Sequence, residues 1–430
     1  MPMTRISELD LLRGVALIGI FLMNIIAMGY PFEAYLNPLA FDSSNWSLSI
    51  EERMSLGWRL DDTVFSVLYV FVGLKMYAIF SLLFGVSAMM ILDKDNGQGL
   101  KYYLIRNVWL IVFGLLHMVM LFLGDILFFY ALCGLFLCLF SSLPARFLIG
   151  FGLFCYYVSF LPWLEFQSAI EQFSPEQLLE LQNLWIANES WIVESIELRQ
   201  ISSYSSYVFL NAGLPVSIDD DLYGVVFSEY MGVSIVSMFS QLFGTMLLGM
   251  GLYKVGFLPN LASLDKKGML LFDGHVYKKI AYIGLIIGFS LTMVSLWMNY
   301  DHQWDASFSV VNSLLLNGLA MPFMAIAYIS LLLLWSKSNS SLKLKKTIQA
   351  AGRMALSNYI MQSVLGVLLF SGVGLALYGE LDRLQMLILA VLICLMQLFF
   401  STLWLRFYRY GPLEWCWRCL THFKRVRIYK

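Results

Sequence analysis

Long apolar runs separated by short polar punctuation dominate this sequence. A helix that crosses a bilayer needs about 20 mainly apolar residues. Ten stretches approach that length, near 11–29, 63–92, 103–123, 126–142, 146–164, 226–253, 280–298, 309–335, 350–376 and 384–405. The pattern predicts an all-α, polytopic membrane protein with about ten transmembrane helices. The run 63–92 is too long for one straight span and contains Lys75, which fits an interfacial stretch leading into a span that begins near that lysine. Gly124-Asp125 alone separates the third and fourth runs, so these two form a tight hairpin. Three parts follow: helices one to five in 1–164, an extracytoplasmic loop in 165–225, and helices six to ten with a tail in 226–430.

Loop charge orients these helices, because Lys and Arg favour the cytoplasmic side. With the N-terminus inside, one set of loops holds Arg5, Lys94, Lys101, Arg106, Arg146, Lys254, Lys266, Lys267, Lys278, Lys279, Lys337 and Lys343, followed by a tail rich in Arg and Lys. The opposite loops hold Arg53, Arg59, Arg199 and Arg383. Both termini are therefore expected to be cytoplasmic. The outer loop is acidic, ending in Asp219–Asp221, and Ser174-Pro175-Glu176-Gln177 reads as a helix start, with Ser as cap and Pro in the first turn. Leu178, Leu181, Trp185 and Ile186 follow at roughly helical spacing, so one or two short amphipathic helices should lie on the outer face. The apolar run after Asp10 is about one span long and lacks a small-residue cleavage site, so it reads as a retained helix, not a signal peptide.

Composition agrees with this reading. Only 13% of the 430 residues are charged, against roughly 25% in an ordinary soluble protein. A formal net charge of −1 gives no basic surface for nucleic acid. Six cysteines make no disulfide scaffold, and Cys416-Trp417-Arg418-Cys419 lacks the second ligand pair that a zinc site requires, so no metal is indicated.

Polar residues inside the apolar runs carry the candidate chemistry, since an ionisable group in lipid costs a few kcal/mol and marks a functional position by default. On the first helix Arg13 and Asn24 fall within about 20° of one another, with Asp10 close by. Arg13 either snorkels beside Asp10 or holds a phosphate-bearing ligand at the cytoplasmic mouth. His117 lies about 14 residues, roughly 21 Å, into its span. Asp125 follows eight residues later, too far for a direct bond along one continuous helix but able to face the same cavity. Lys75 either snorkels or pairs with Asp61, Asp62 or Asp125. The densest cluster is Arg353, Ser357, Asn358 and Gln362, which occupy one half of a helix circumference and so wall a cavity or seat a cytoplasmic ligand.

Several of these positions also form a pattern: Leu9-Asp10 with Leu12-Arg13-Gly14 and Asn24-Ile25; Ala34-Tyr35-Leu36-Asn37-Pro38; Lys75 ahead of Leu82-Leu83-Phe84-Gly85. It continues with His117 and Gly124-Asp125-Ile126-Leu127, the segment Gly352 to Tyr359, and Gly411-Pro412-Leu413-Glu414-Trp415. Through these residues the chain resembles the YeiB family of bacterial inner-membrane proteins, which contain a domain of unknown function and are loosely associated with transport. The opening helix is also similar to that of transmembrane acyltransferases, including sugar O-acyltransferases and the heparan-glucosaminide N-acetyltransferase type, which begins Leu-Asp-x-x-Arg-Gly. Many O-acyltransferases of that kind have a histidine where this chain has Asn24, so a base for acyl transfer must come from elsewhere, and His117 is available.

Three readings are consistent with these residues, the plainest being a structural or regulatory membrane protein whose polar side chains only pack helices; the other two are functions of the site. In the first, a cytoplasmic acyl donor such as an acyl-CoA docks against Arg13 and Arg353, with Ser357, Asn358 and Gln362 completing its seat. His117, oriented by Asp125 or Asn24, then deprotonates a small-molecule or lipid-like acceptor at the outer side. In the second, the same residues bind a small polar or amphiphilic solute for transport or export, with His117 and Asp125 as a proton relay. Both place the lipid bilayer among the partners and require no prosthetic group.

Overall fold

The computed structural model describes residues 6–40, 60–93, 98–186, 189–201, 203–211, 226–259 and 272–430. Arg5, Arg53, Arg59, Lys94, Asp219–Asp221, Lys266 and Lys267 lie outside the described residues. Each of the ten apolar runs is helical. They form α1 (Ser7–Gly29), α2 (Leu60–Phe71) and α3 (Lys75–Leu92), α4 (Gln98–Met120), α5 (Leu127–Leu137), and α6 (Ala145–Val158) continued by α7 (Leu161–Ile170). The outer loop contributes α8 (Pro175–Trp185), α9 (Glu189–Ile201) and α10 (Tyr204–Asn211). The C-terminal half adds α11 (Val226–Val255), α12 (Gly274–Asp301), α13 (Ala306–Lys337), α14 (Leu342–Arg353), α15 (Ala355–Phe370), α16 (Arg383–Phe407) and α17 (Pro412–His422). Among the described residues, eight helical runs of 22 to 33 residues are long and apolar enough to cross a membrane, and the pair α14–α15, bent by 80°, makes a ninth. The run expected at 126–142 folds as a shorter apolar helix, Leu127–Phe140, packed along α4.

Contacts between helix ends sort the chain into the two sides that the charge pattern predicts. At one end Lys337 Nζ pairs with Glu8 Oε1 at 2.7 Å, and Lys254 Nζ donates to the carbonyls of Ser141 and Leu143, both at 2.6 Å. At the other, Arg383 reaches the carbonyls of Ala34 and Asn37 at 3.0 and 3.2 Å, the Gly379 N–H meets Gly29 O at 2.9 Å, and Trp185 Nε1 donates to Trp304 O at 2.9 Å. Ser174 caps α8 in a reciprocal box with Gln177, and Leu181 and Trp185 bury the apolar face of that helix.

Two interruptions shape the interior. Between α2 and α3 the backbone turns through Leu74, whose φ of 60° is in the left-handed region. The turn leaves Lys75 fully buried, its ammonium donating to Tyr69 O at 2.8 Å and to Asn317 Oδ1. Lys75 therefore neither snorkels nor meets Asp61, Asp62 or Asp125: it caps the Tyr69 carbonyl in the last turn of α2, the electronegative end of that helix. The second interruption is the bend at Met354. It is held by the crossing of α14 on α1, where Gly352 and Gly14 let the backbones touch; a Cβ on Gly352 would lie 1.9 Å from Asp10 O.

Candidate functional site

A cavity of about 480 Å³ opens at the end of the molecule where α1, α4 and α14 meet the C-terminal tail. Its wall on α1 runs from Ile6 through Asp10 and Arg13 to Ile20, a depth of roughly 21 Å at 1.5 Å per residue. Polarity falls with depth. The mouth carries Arg13, Arg106, Arg353, Arg409, Arg418 and Lys430, against Asp10 and Glu414. The inner end is lined by Leu17, Ile20, Phe80, Leu110, Ile126 and Tyr359. A concave, partly apolar site with convergent charges at one end suits an amphiphilic anion.

Both acids at the mouth are already committed to neighbours. Arg13 Nη1 bonds Asp10 Oδ1 at 3.2 Å while Nη2 bonds Ser87 Oγ at 2.8 Å, which ties α1 to α3 and aims the guanidinium along the cavity wall. Glu414 accepts from Ser357 N at 3.1 Å and from Ser357 Oγ at 2.5 Å, docking α17 on the start of α15. Burial pushes the Glu414 carboxyl up, and the hydrogen bonds from Ser357 oppose that rise. The Arg106 guanidinium lies 3.9 Å from the Trp417 ring and that of Arg418 lies 4.5 Å from the Tyr410 ring, so the tail holds the basic side chains by cation–π contact.

Behind the inner end lies a buried hydrogen-bonded chain. Asp125 Oδ1 is 2.8 Å from His117 Nδ1, and His117 Nε2 is 2.8 Å from Ser363 Oγ. Asp125 also accepts the Tyr359 hydroxyl at 3.0 Å and the Phe128 N–H at 2.8 Å. Beside an ionised Asp125 the matching imidazole tautomer carries its proton on Nδ1, which leaves the Nε2 lone pair to the Ser363 hydroxyl. The Tyr359 ring lies 5.0 Å from that of His117 and forms the partition between it and the cavity. The direct His117–Asp125 bond replaces the indirect arrangement expected from helix geometry. α4 stops at Met120, and the chain reverses through 121–126, so a continuous-helix rotation does not apply between the two residues.

The remaining predicted residues separate. Arg13 and Arg353 both line the mouth. Asn24 is half-buried on α1 and makes neither hydrogen bond to His117, whose two ring nitrogens are taken by Asp125 and Ser363. Ser357, Asn358 and Gln362 are outside the cavity lining. Asn358 Nδ2 bonds Ser401 Oγ at 2.9 Å and Gln362 Nε2 bonds Gln397 Oε1 at 2.9 Å, so these two fasten α15 to α16 while Ser357 holds Glu414. The shared half-face assumed one helix through 353–362, and the bend at Met354 removes Arg353 from it. Sequence reasoning missed Tyr359, Ser363 and Arg106. Tyr359 and Ser363 stand one turn apart, a polar stripe in an apolar helix, and Arg106, which the charge pattern assigns to a loop, is a charge inside α4.

The family described as "Protein of unknown function (DUF418)" matches residues 267–424. The "Uncharacterized protein YeiB" of Escherichia coli (strain K12) is 30% identical over 426 residues, covering 97% of each chain. The "Uncharacterized protein YxaH" of Bacillus subtilis (strain 168) is 25% identical over 427 residues, 97% of this chain and 94% of its own. An "Uncharacterized 39.9 kDa protein in amylase 3'region" of Bacillus acidopullulyticus is 24% identical over 441 residues, 99% of this chain and 96% of its own. No solved structure gives a significant match.

Proposed function

The chain belongs to the YeiB family of proteins of unknown function, and from that footing we propose that it is a membrane-embedded acyltransferase of the bacterial inner membrane. The observation that carries this reading is the gradient along one cavity, from a six-cation mouth to an apolar interior that ends beside a polarised Asp125–His117 pair. The phosphates of an acyl-CoA meet Arg13 and Arg353, whose planar forks suit phosphate oxygens. The acyl arm follows the apolar wall toward Tyr359. His117, held in one tautomer by Asp125, is the general base for the hydroxyl or amine of the acceptor. Acceptor access from the outer side passes α10, where Tyr204 and Tyr207 donate to the carbonyls of Met120 and Leu121 over the turn between His117 and Asp125.

Saturable acyl-CoA binding to the purified protein, weakened in Arg13→Ala and Arg353→Ala, supports the reading, together with transfer that is lost in folded His117→Ala. Absence of donor binding at millimolar concentration contradicts it. One observation favours export of an amphiphilic solute instead: helices interrupted inside a bundle, as at Leu74 and Met354, recur at transporter binding sites. Solute flux in proteoliposomes that is independent of any acyl donor and is lost in Lys75→Ala selects that alternative.

A further inference from the structure

Asp125, His117 and Ser363 stand in the order acid, imidazole, hydroxyl, with successive contacts of 2.8 and 2.8 Å. A base that accepts a hydroxyl proton while a third group fixes its tautomer is the arrangement that activates a nucleophile. Ser363 is buried, and its hydroxyl serves no helix cap or turn; its hydrogen bond is to the histidine. It lies one turn beyond the cavity-lining Tyr359 on the same side of α15, just behind the cavity's inner end. From the bend at Met354 to Ser363 is about 14 Å along the helix axis. That is the order of distance between the phosphates and the thioester sulfur of an extended coenzyme A arm.

Resting on the acyltransferase reading, we propose that Ser363 is the nucleophile that carries the acyl group between donor and acceptor. In the first half-reaction Ser363 Oγ bonds to the thioester carbonyl carbon and the C–S bond breaks. The hydroxyl proton passes to His117 Nε2 and from there to the departing thiolate, releasing free thiol and leaving an ester on Ser363. In the second, the acceptor hydroxyl or amine gives a proton to His117 Nε2 and attacks the ester carbonyl. The C–Oγ bond then breaks and the proton returns to Ser363. Tyr359 swings out of the partition for the thioester to arrive, and Asp125 acts as a positioning residue throughout.

The test uses the full-length protein in detergent with a panel of acyl-CoAs from acetyl to palmitoyl and no acceptor. The expected result is a burst of free CoA, one per protein at most, with a hydroxylamine-labile acyl group mapped to Ser363 by peptide mass spectrometry. Ser363→Ala loses burst and label while binding CoA with unchanged affinity. Ser363→Cys restores a label that neutral hydroxylamine removes. Transfer to acceptor by the wild type without any protein-bound acyl group overturns the Ser363 assignment and leaves the acyltransferase reading standing, as does a label that persists in Ser363→Ala. Absence of both donor binding and transfer overturns the two together.

Discussion

Asp125 accepts hydrogen bonds from His117, Tyr359 and the Phe128 amide, so three protein donors converge on its carboxyl group. Asp125→Asn offers His117 Nδ1 an N–H where it now meets an acceptor, and the imidazole responds by moving its proton to Nε2. That tautomer no longer accepts a proton from Ser363 or an acceptor. The expected loss in kcat is roughly 10³–10⁴-fold with little change in donor affinity, measured as separate kcat and Kd. Tyr359→Phe keeps the partition ring and removes one donor to the carboxylate, so its loss in kcat is expected to be smaller than that of Asp125→Asn. His117 and Asp125 were legible in the sequence because an ionisable group in an apolar run stands out against its surroundings. Ser363 was not, because a serine costs little in a bundle and usually bonds its own helix, as Ser330 does through Ile326 O.

The interrupted helices mark where helical periodicity stops predicting which residues share a face. Across the 80° bend at Met354, Arg353 joins the cavity mouth while Asn358 and Gln362 turn to α16. No proline announces that bend. It follows from the amphipathic α14, with Lys343, Lys345 and Lys346, leaving the direction of apolar α15 while Gly352 lies against α1. Gly352→Ala pushes a methyl into Asp10 O and is expected to cost about 1–3 kcal/mol of stability, read as a lower unfolding midpoint in detergent. At the outer side, the short turn Phe32–Tyr35 after α1 holds Glu33, whose carboxyl is pushed up to about 7 by burial. The folded protein therefore binds this proton more tightly than the unfolded chain does. The stabilisation is present in full below the ordinary glutamate range, near 4.5, and is lost as pH rises to about 7. Glu33→Gln is expected to flatten the unfolding midpoint over that interval relative to the wild type.

At the scale of the whole molecule, apolar run length and loop charge carried most of the information. They located the long helices and put both chain ends on one side, and in the structure Ile6 and Lys430 line one cavity. The cavity itself required tertiary structure, because its cations come from α1, α4, α14 and the tail, which are distant in sequence. Six clustered cations give a further expectation: donor affinity falls steeply as salt shortens the screening length from about 10 Å at 0.1 M to about 3 Å at 1 M. Arg106→Ala, which removes a mouth cation about three turns before His117 on α4, is expected to weaken donor binding by about 10- to 100-fold, the loss of a charged hydrogen bond worth roughly 1.5–3 kcal/mol, with kcat retained. The most direct test of the central claim is labelled acyl-CoA supplied to membrane vesicles of opposite sidedness. Inside-out vesicles, which expose the basic mouth, are expected to transfer the acyl group, and neither right-side-out vesicles nor His117→Ala vesicles of either orientation are expected to do so. Transfer that is indifferent to sidedness, or undiminished by His117→Ala, would contradict a cytoplasmic donor acting through this histidine.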